Sequence, residues 1–367
     1  MLKGGGKLET FKRLKEYFWP YKRYLFGSLL FLVLVTAITV VYPIVLQQTI
    51  DRVVLKGDYG FVADLAIGFV LLMVVKGISA YFQQYWGNLF SVRAIYELRQ
   101  VLYKKLQRLP FRFYDNAHTG DLMSRMTADV MQFGNFLSFG FSQLFRFILI
   151  IGLSLIIMFY YSWQLAIITV LMTPFLAVVV HKFDRRVHPA FRKVRRSLAS
   201  LNTRVQENVS GVNTVKALSK EAFEIGRFAD NNGKYRDTYL ATSSLWSKYF
   251  PIMEFIGDIT VVLLLAFGGW QVVTGHLRPG ELVAFFSLVW YIMDPLIDLG
   301  FIINDYSQAK AAGERLLEIL DEPEEIRTLP EARAKDRLEG HVQFDNVSLR
   351  YPNEESYSLK SVNFDAR

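Results

Sequence analysis

Six ionisable side chains stand inside stretches otherwise made of apolar residues: Lys76, Arg146, Glu254, Asp258, Asp294 and Asp298. A charge surrounded by hydrocarbon is costly, so one that persists there is paired, faces water or binds something. The four acids form two pairs, Glu254 with Asp258 and Asp294 with Asp298. Each pair is spaced i,i+4, which puts both carboxylates on one helix face. Counted from the less basic ends of their stretches at ~1.5 Å per residue, Lys76, Arg146, Asp258 and Asp294 all fall ~20 Å deep. Glu254 and Asp298 lie one turn further in. Four acids against two bases describe a charged belt whose acidic surplus favours cationic amphiphiles over anionic ones. The plainer reading is internal salt bridging with water at a cavity mouth.

Other chemistries find little support. The chain has no cysteine, so disulfides, thiolate metal sites and a cysteine nucleophile are excluded. That absence fits a protein facing a reducing compartment, or a chain from which cysteine was deliberately removed. His181 and His188 lack a spacing that points to a metal. A phosphate loop needs G-x-x-x-x-G-K-[ST], whose N–H groups and lysine cradle phosphates. Gly6-Lys7 fails this pattern, because Met1 stands where the first glycine belongs and Leu8 where Ser or Thr belongs. It reads as a flexible leader, and these residues alone are not expected to hydrolyse ATP. The aromatic set Phe133, Phe136, Phe139, Phe141, Phe145 and Phe147 fits lipid contact and helix packing better than a drug-binding surface.

The charged positions must be carried by membrane helices. The 367 residues are 52% hydrophobic and 21% charged, more apolar and less charged than soluble domains. The excess lies in six runs, roughly 24–46, 65–85, 139–160, 163–180, 252–273 and 282–303, each of a length that spans a bilayer. Lys and Arg crowd the segments before the first run, between the second and third (Arg93 to Arg125) and between the fourth and fifth (Arg185 to Arg196). The alternate segments hold only Arg52, Lys56 and Arg278. The positive-inside rule therefore predicts a multi-pass protein of the cell membrane with both termini and both long loops cytoplasmic. With a pI near 9.4 but its cations beside spans, the chain suits anionic lipid rather than nucleic acid.

Residues 1–23 predict an interfacial elbow helix, with Leu8, Phe11, Leu14 and Phe18 opposed to Lys12, Arg13 and Glu16 and an upward turn near Pro20. The long loops lack linker composition and favour helix formers, so spans two to five are expected to continue ~30 Å beyond the bilayer. Each loop reverses through a short segment punctuated by Pro110 and Gly120, or by Gly211. Residues 24–320 form the membrane domain, 321–340 a linker, and 341–367 two soluble strands. The fold class is all-α membrane protein with a short β start at the C-terminus.

Four stretches in order, "FYDNAHTGDLMSRMTADV", "NVSGVNTVKALSKE", "PGELVAFFSLVWYIMDPL" with "AKAAGERLLEILDEP", and "FDNVSLRYP", resemble the membrane half of an ABC exporter. The resemblance covers nearly the whole chain. It implies a half-transporter that pairs with an identical or different second half. Powered by ATP and Mg on nucleotide-binding domains, it would move hydrophobic drugs or lipids by alternating access. It also implies that Tyr114, Asp115, Asn116, Thr119 and Gly120, and Gly211, Thr214, Val215 and Lys216, lie on coupling helices that contact those domains. Tyr351 would stack on adenine. Asp115 also suits a helix N-cap, and Tyr351 local strand packing. Two rivals are an ion-coupled secondary transporter using the acids as a proton relay, and a membrane partner subunit that does not transport.

Overall fold

The amphipathic pattern after Lys7 yields α1 (Glu9–Phe18), in which Leu14 is fully buried and Phe11 stacks on Phe133 and Tyr306. The computed structural model describes residues 9–324, 331–332, 340–351 and 356–366. The leader around Gly6 and most of the expected 321–340 linker lie outside them. A 3-10 turn at Trp19–Tyr21, with Pro20 inside it, redirects the chain into α2 (Lys22–Gln48). Proline suits this corner because its fixed φ fits the start of a helix, where no N–H is needed.

Next come α3 (Phe61–Leu106), the short α4 (Phe111–Asn116) and α5 (Thr119–Ser124), then α6 (Val130–Asn135) and α7 (Phe141–Tyr161). The remaining helices are α8 (Trp163–Ser210), α9 (Val212–Ala217), α10 (Glu221–Val273) and α11 (Pro279–Asp321). Among the described residues, six helical stretches are long and apolar enough to cross a membrane. The 53 residues of α10 extend ~80 Å, against ~30 Å of hydrocarbon. More than half of that helix therefore stands outside the bilayer at the basic end, as the loop composition predicts. The third crossing departs from a single regular helix. It contains π-helical stretches at Arg125–Asp129 and Phe136–Gly140, where an extra residue enters the turn and reorients the side chains around it.

Small residues set the closest crossings, as they do where helices pack without a hydrophobic drive. A Cβ on Gly27 would enter the ring of Trp86, and one on Gly87 would reach Ser28 Oγ at 3.1 Å. Thus α2 and α3 nearly touch, and Ser28 Oγ donates to the Gln83 carbonyl at 2.8 Å. Two cores result. One joins α7, α8, α10 and α11 through Leu176, Leu264, Phe285, Leu288 and Ile292. The other joins α1, α3, α6 and the basic end of α11 through Leu14, Phe90, Leu102, Phe133 and Leu316.

No residue in the most apolar window of α3 is buried within the chain. Ile67, Val70, Leu71, Val74 and Ile78 are all exposed. Such a face is stable only against lipid or another apolar surface. Beyond the bundle, β1 (Val342–Leu349) pairs antiparallel with β2 (Leu359–Ala366), and Phe344 lies against Phe364 at 4.5 Å between ring centres.

Candidate functional site

Three helices enclose a cavity of about 550 Å³: α2 contributes Thr39, α7 with the π stretch before it contributes Phe139, Gln143 and Arg146, and α11 contributes Trp290, Asp294, Asp298 and Asp305. The π stretch matters here because Phe139 and Gly140, its last two residues, both line the wall. Asp294, Asp298 and Asp305 are spaced i, i+4 and i+11, which keeps them on one face of α11. Arg146 forms no ion pair with them among the described residues. One cation and three carboxylates therefore face the same lumen without neutralising one another. Arg146, Gln143 and Phe139 also line an adjoining cleft of about 130 Å³, whose far wall is Gln83, Gln84 and Asn88 of α3.

At the less basic end the last turn of α2 and the π-helical stretch after it, Thr49–Val54, are tied to the neighbouring helices. Asp51, 7% exposed, accepts a hydrogen bond from the Gly280 N–H at the start of α11 at 2.9 Å. Its other oxygen is buried without a hydrogen-bond partner among the described residues. A carboxylate at a helix N-terminus meets both free N–H groups and the positive end of the helix dipole. Beside it, the Tyr161 hydroxyl donates to the Gln47 side chain, and Ser162 donates to Gln271 at 3.1 Å.

At the basic end the chain reverses twice. Pro110 holds extended backbone ahead of α4, and the Tyr114 hydroxyl folds back to donate to the Leu106 carbonyl at 2.5 Å. Tyr114, Asp115, Thr119 and Gly120 are all exposed. Asp115 lies within α4 rather than at a cap, and Asn116 is that helix's last residue. Gly211 ends α8 by donating to the Glu207 carbonyl at 2.8 Å. Thr214 and Lys216 of α9 are exposed and Val215 is half-buried. Arg204 reaches Glu207 at 3.0 Å and Glu224 at 3.9 Å, tying α8 to α10 across the second reversal.

Ion pairs hold the basic end of α11 to the first reversal. Arg315 grips Asp129 with two bonds, Nε to Oδ2 at 2.8 Å and Nη2 to Oδ1 at 2.5 Å. The hydrogen bond to Asp129 raises the Arg315 pKa above its ordinary value, partly offset by burial. Arg125 pairs with Glu318 at 2.8 Å, Lys105 with Glu324 at 3.1 Å, and Arg13 with Asp321. The last turns of α11, which lead toward β1, are thus joined to α1, α3 and the segment after α5.

Sequence comparison gives this arrangement its family: the ABC transporter transmembrane region matches residues 25–296. The chain belongs to the ABC transporter transmembrane family. It is 55% identical, over 98% of its length, to the uncharacterized ABC transporter ATP-binding protein YknU of Bacillus subtilis, covering 61% of that protein. An ATP-dependent lipid A-core flippase of Syntrophus aciditrophicus is 27% identical over 99% of the chain and 60% of the relative. The putative multidrug export ATP-binding/permease protein YgaD of Bacillus subtilis is 26% identical over 96% of the chain and 62% of the relative. The chain spans about three fifths of the length of these relatives.

Within this ABC transmembrane domain, Arg146, Asp294 and Asp298 share the cavity, and Lys76, Glu254 and Asp258 do not line it. Glu254 and Asp258 occupy an exposed face of α10, and Lys76 is half-buried on α3. Asp305 is the acid that sequence reading missed. Its signal was present, seven residues beyond Asp298 on the same helix face, but it falls outside the apolar run. Tyr351 stands two residues beyond the end of β1 and is 51% exposed, which leaves its ring open to stacking by a planar group.

Proposed function

We propose that this chain is the membrane half of an ATP-driven exporter of amphipathic compounds. It pairs with a second half and alternates between cavity openings at its two ends. The observation that carries this reading is the cavity lined by three carboxylates and one guanidinium, in a bundle whose helices run on to two exposed reversals. The relatives named for multidrug export and for lipid A flipping support an amphipathic cargo. The positive-inside pattern supports a cytoplasmic basic end in a cell-membrane protein.

ATP with Mg, bound by nucleotide-binding domains, supplies the energy for the cycle. The residues here begin such a site with Tyr351 as the adenine-stacking face. The reversals at 111–124 and 211–220 are the contact surfaces for those domains, carried by Tyr114, Asp115, Asn116, Thr119 and Gly120 and by Gly211, Thr214, Val215 and Lys216. Opening of the far end requires release of Asp51 from Gly280 and of Tyr161 from Gln47. Lys76, Glu254 and Asp258 complete the charged belt in the paired assembly.

The cargo is tested with two hydrophobic ions of nearly equal shape, tetraphenylphosphonium and tetraphenylborate. Stimulation of ATPase activity in the full-length assembly should favour the cation, and D294N/D298N should weaken its apparent affinity about tenfold or more, corresponding to ~1.4 kcal/mol. Preference for the anion, or an unchanged affinity in the variant, would exclude the acidic cavity as the cargo site. Transport driven by a proton gradient without ATP would instead favour an ion-coupled transporter.

A second expectation concerns Gly120. Among the described residues, nothing beyond its chain neighbours and its own helix backbone lies within 4 Å of the Cβ position there, so leucine at this exposed site should change stability by no more than about 0.5 kcal/mol. As a contact point for a nucleotide-binding domain, it should still lose most transport per ATP hydrolysed. Full coupling in G120L, measured as transport against hydrolysis in proteoliposomes, would remove this residue from the contact surface.

A further inference from the structure

The corner between α1, α2 and α3 gathers cations that have no acidic partner among the described residues. Lys15 of α1 and Lys22 of α2 both lie over the Trp19 ring, 3.9 and 5.4 Å from its centre. Arg23 of α2 and Arg93 of α3 both lie over the Tyr24 ring, at 4.7 and 4.9 Å. None of the four has an ion pair among the described residues, whereas Arg13 and Lys105, on α1 and α3 themselves, each pair with a carboxylate of residues 321–324. Arg23 spends one donor on the Tyr24 hydroxyl at 2.8 Å, and a guanidinium has four more. The nearest acids along these elements are engaged elsewhere, Glu16 with Tyr17 and Glu97 with the Tyr21 hydroxyl at 3.5 Å.

The corner also sits at a defined height. Arg93 is 32 residues into α3, ~48 Å from its start, close to the ~40–45 Å of a bilayer with its headgroups. Arg23 stands at the first turn of α2 and therefore at a matching height. Trp19 and Tyr24 are the amphipathic rings expected at that level. Four cations on three separate elements, stacked on two rings suited to the interface, form a held positive surface rather than a loose basic tail. Two guanidiniums beside one ring suit an oxyanion with several acceptor oxygens.

We propose that this corner binds the phosphodiester headgroup of an anionic phospholipid, which fastens the elbow helix to α3. Arg23 and Arg93 hold the phosphate, and Lys15 and Lys22 add charge and clamp Trp19 at the interface. Each basic residue near the surface contributes ~1 kcal/mol toward anionic lipid, about fivefold in affinity, and less at high salt.

The test uses the full-length protein in nanodiscs of phosphatidylcholine containing one-tenth bromine-labelled lipid. Subtracting the signal of W19F isolates the emission of Trp19. Brominated phosphatidylglycerol should quench it at least about fivefold more effectively than brominated phosphatidylcholine, and R23Q/R93Q should remove most of that preference. R23K/R93K, which keeps charge without the guanidinium fork, should retain an intermediate preference. Equal quenching by the two lipids in the unsubstituted protein overturns the proposal, a result that does not depend on the variants folding. An unaltered preference in R23Q/R93Q does the same, leaving only a general basic surface. If inorganic phosphate at 20 mM abolishes the preference, the corner is a free-phosphate site and the lipid assignment fails.

Discussion

Leucine at position 280 should unseat α11 from α2 and produce the largest loss of stability of any single change at the less basic end. A Cβ there would lie 2.5 Å from the Gln47 carbonyl oxygen and 2.6 Å from Asp51 Oδ1. The first is backbone of α2 and cannot swing aside, so the start of α11 must retreat. That retreat breaks the Gly280 N–H to Asp51 bond and strands a buried carboxylate with neither oxygen satisfied. Overpacking costs ~1–3 kcal/mol and an unsatisfied buried charged acceptor a comparable amount, so ~3 kcal/mol or more is expected. For a chain of this size that lowers the thermal midpoint by roughly 4 °C or more. G280A should fall between, since it brings the same Cβ without the bulk. D51N keeps an acceptor for the helix terminus while removing the charge, so it should cost less than D51A. A midpoint in G280L equal to that of the unsubstituted protein would show that the two helix ends are not in this contact.

The second large effect is expected at the opposite end. Asp129, whose side chain is 9% exposed, accepts both bonds of the Arg315 fork. D129A leaves that guanidinium without its carboxylate, while Arg125 keeps its pairing with Glu318 at 2.8 Å and its bond to the Arg315 carbonyl at 3.0 Å. Removing one member of a buried pair costs ~3–5 kcal/mol. The Arg315 side chain is 45% exposed, and solvent screening reduces the expected loss to ~2 kcal/mol. Under the proposed function, transport by the full-length assembly should fall further than stability alone predicts, because the ion-paired end of α11 is the segment leading to β1. A double-mutant cycle of D129A, R315A and both together should give a coupling of ~1–2 kcal/mol, and R315K should recover only part of it. Zero coupling in that cycle would make the pair incidental.

The sequence by itself determined the six long apolar helices, and from it their heights and polarity are expected. Apolar run length and the bias of Lys and Arg are local properties of each segment. The exit of α10 far beyond the bilayer was legible in the same way, from helix-forming composition at residues 221–250. Height, however, is only one coordinate of a residue on a helix. Glu254 and Asp298 share a depth, yet only Asp298 lines the cavity. Tyr249, Met253, Gly257, Thr260 and Leu264 are the buried line of α10, and Glu254 and Asp258 each sit one residue, ~100°, away from it. Rotation about the helix axis is fixed by the partner helix that each buried line meets, which no single segment encodes. The same holds for Asp51 with Gly280 and Asp129 with Arg315, separated by 229 and 186 residues. Neither residue of either pair carries a local pattern that names the other. Only the tertiary structure decided which charges face one another, because that depends on how rigid helices of known height are turned and brought together.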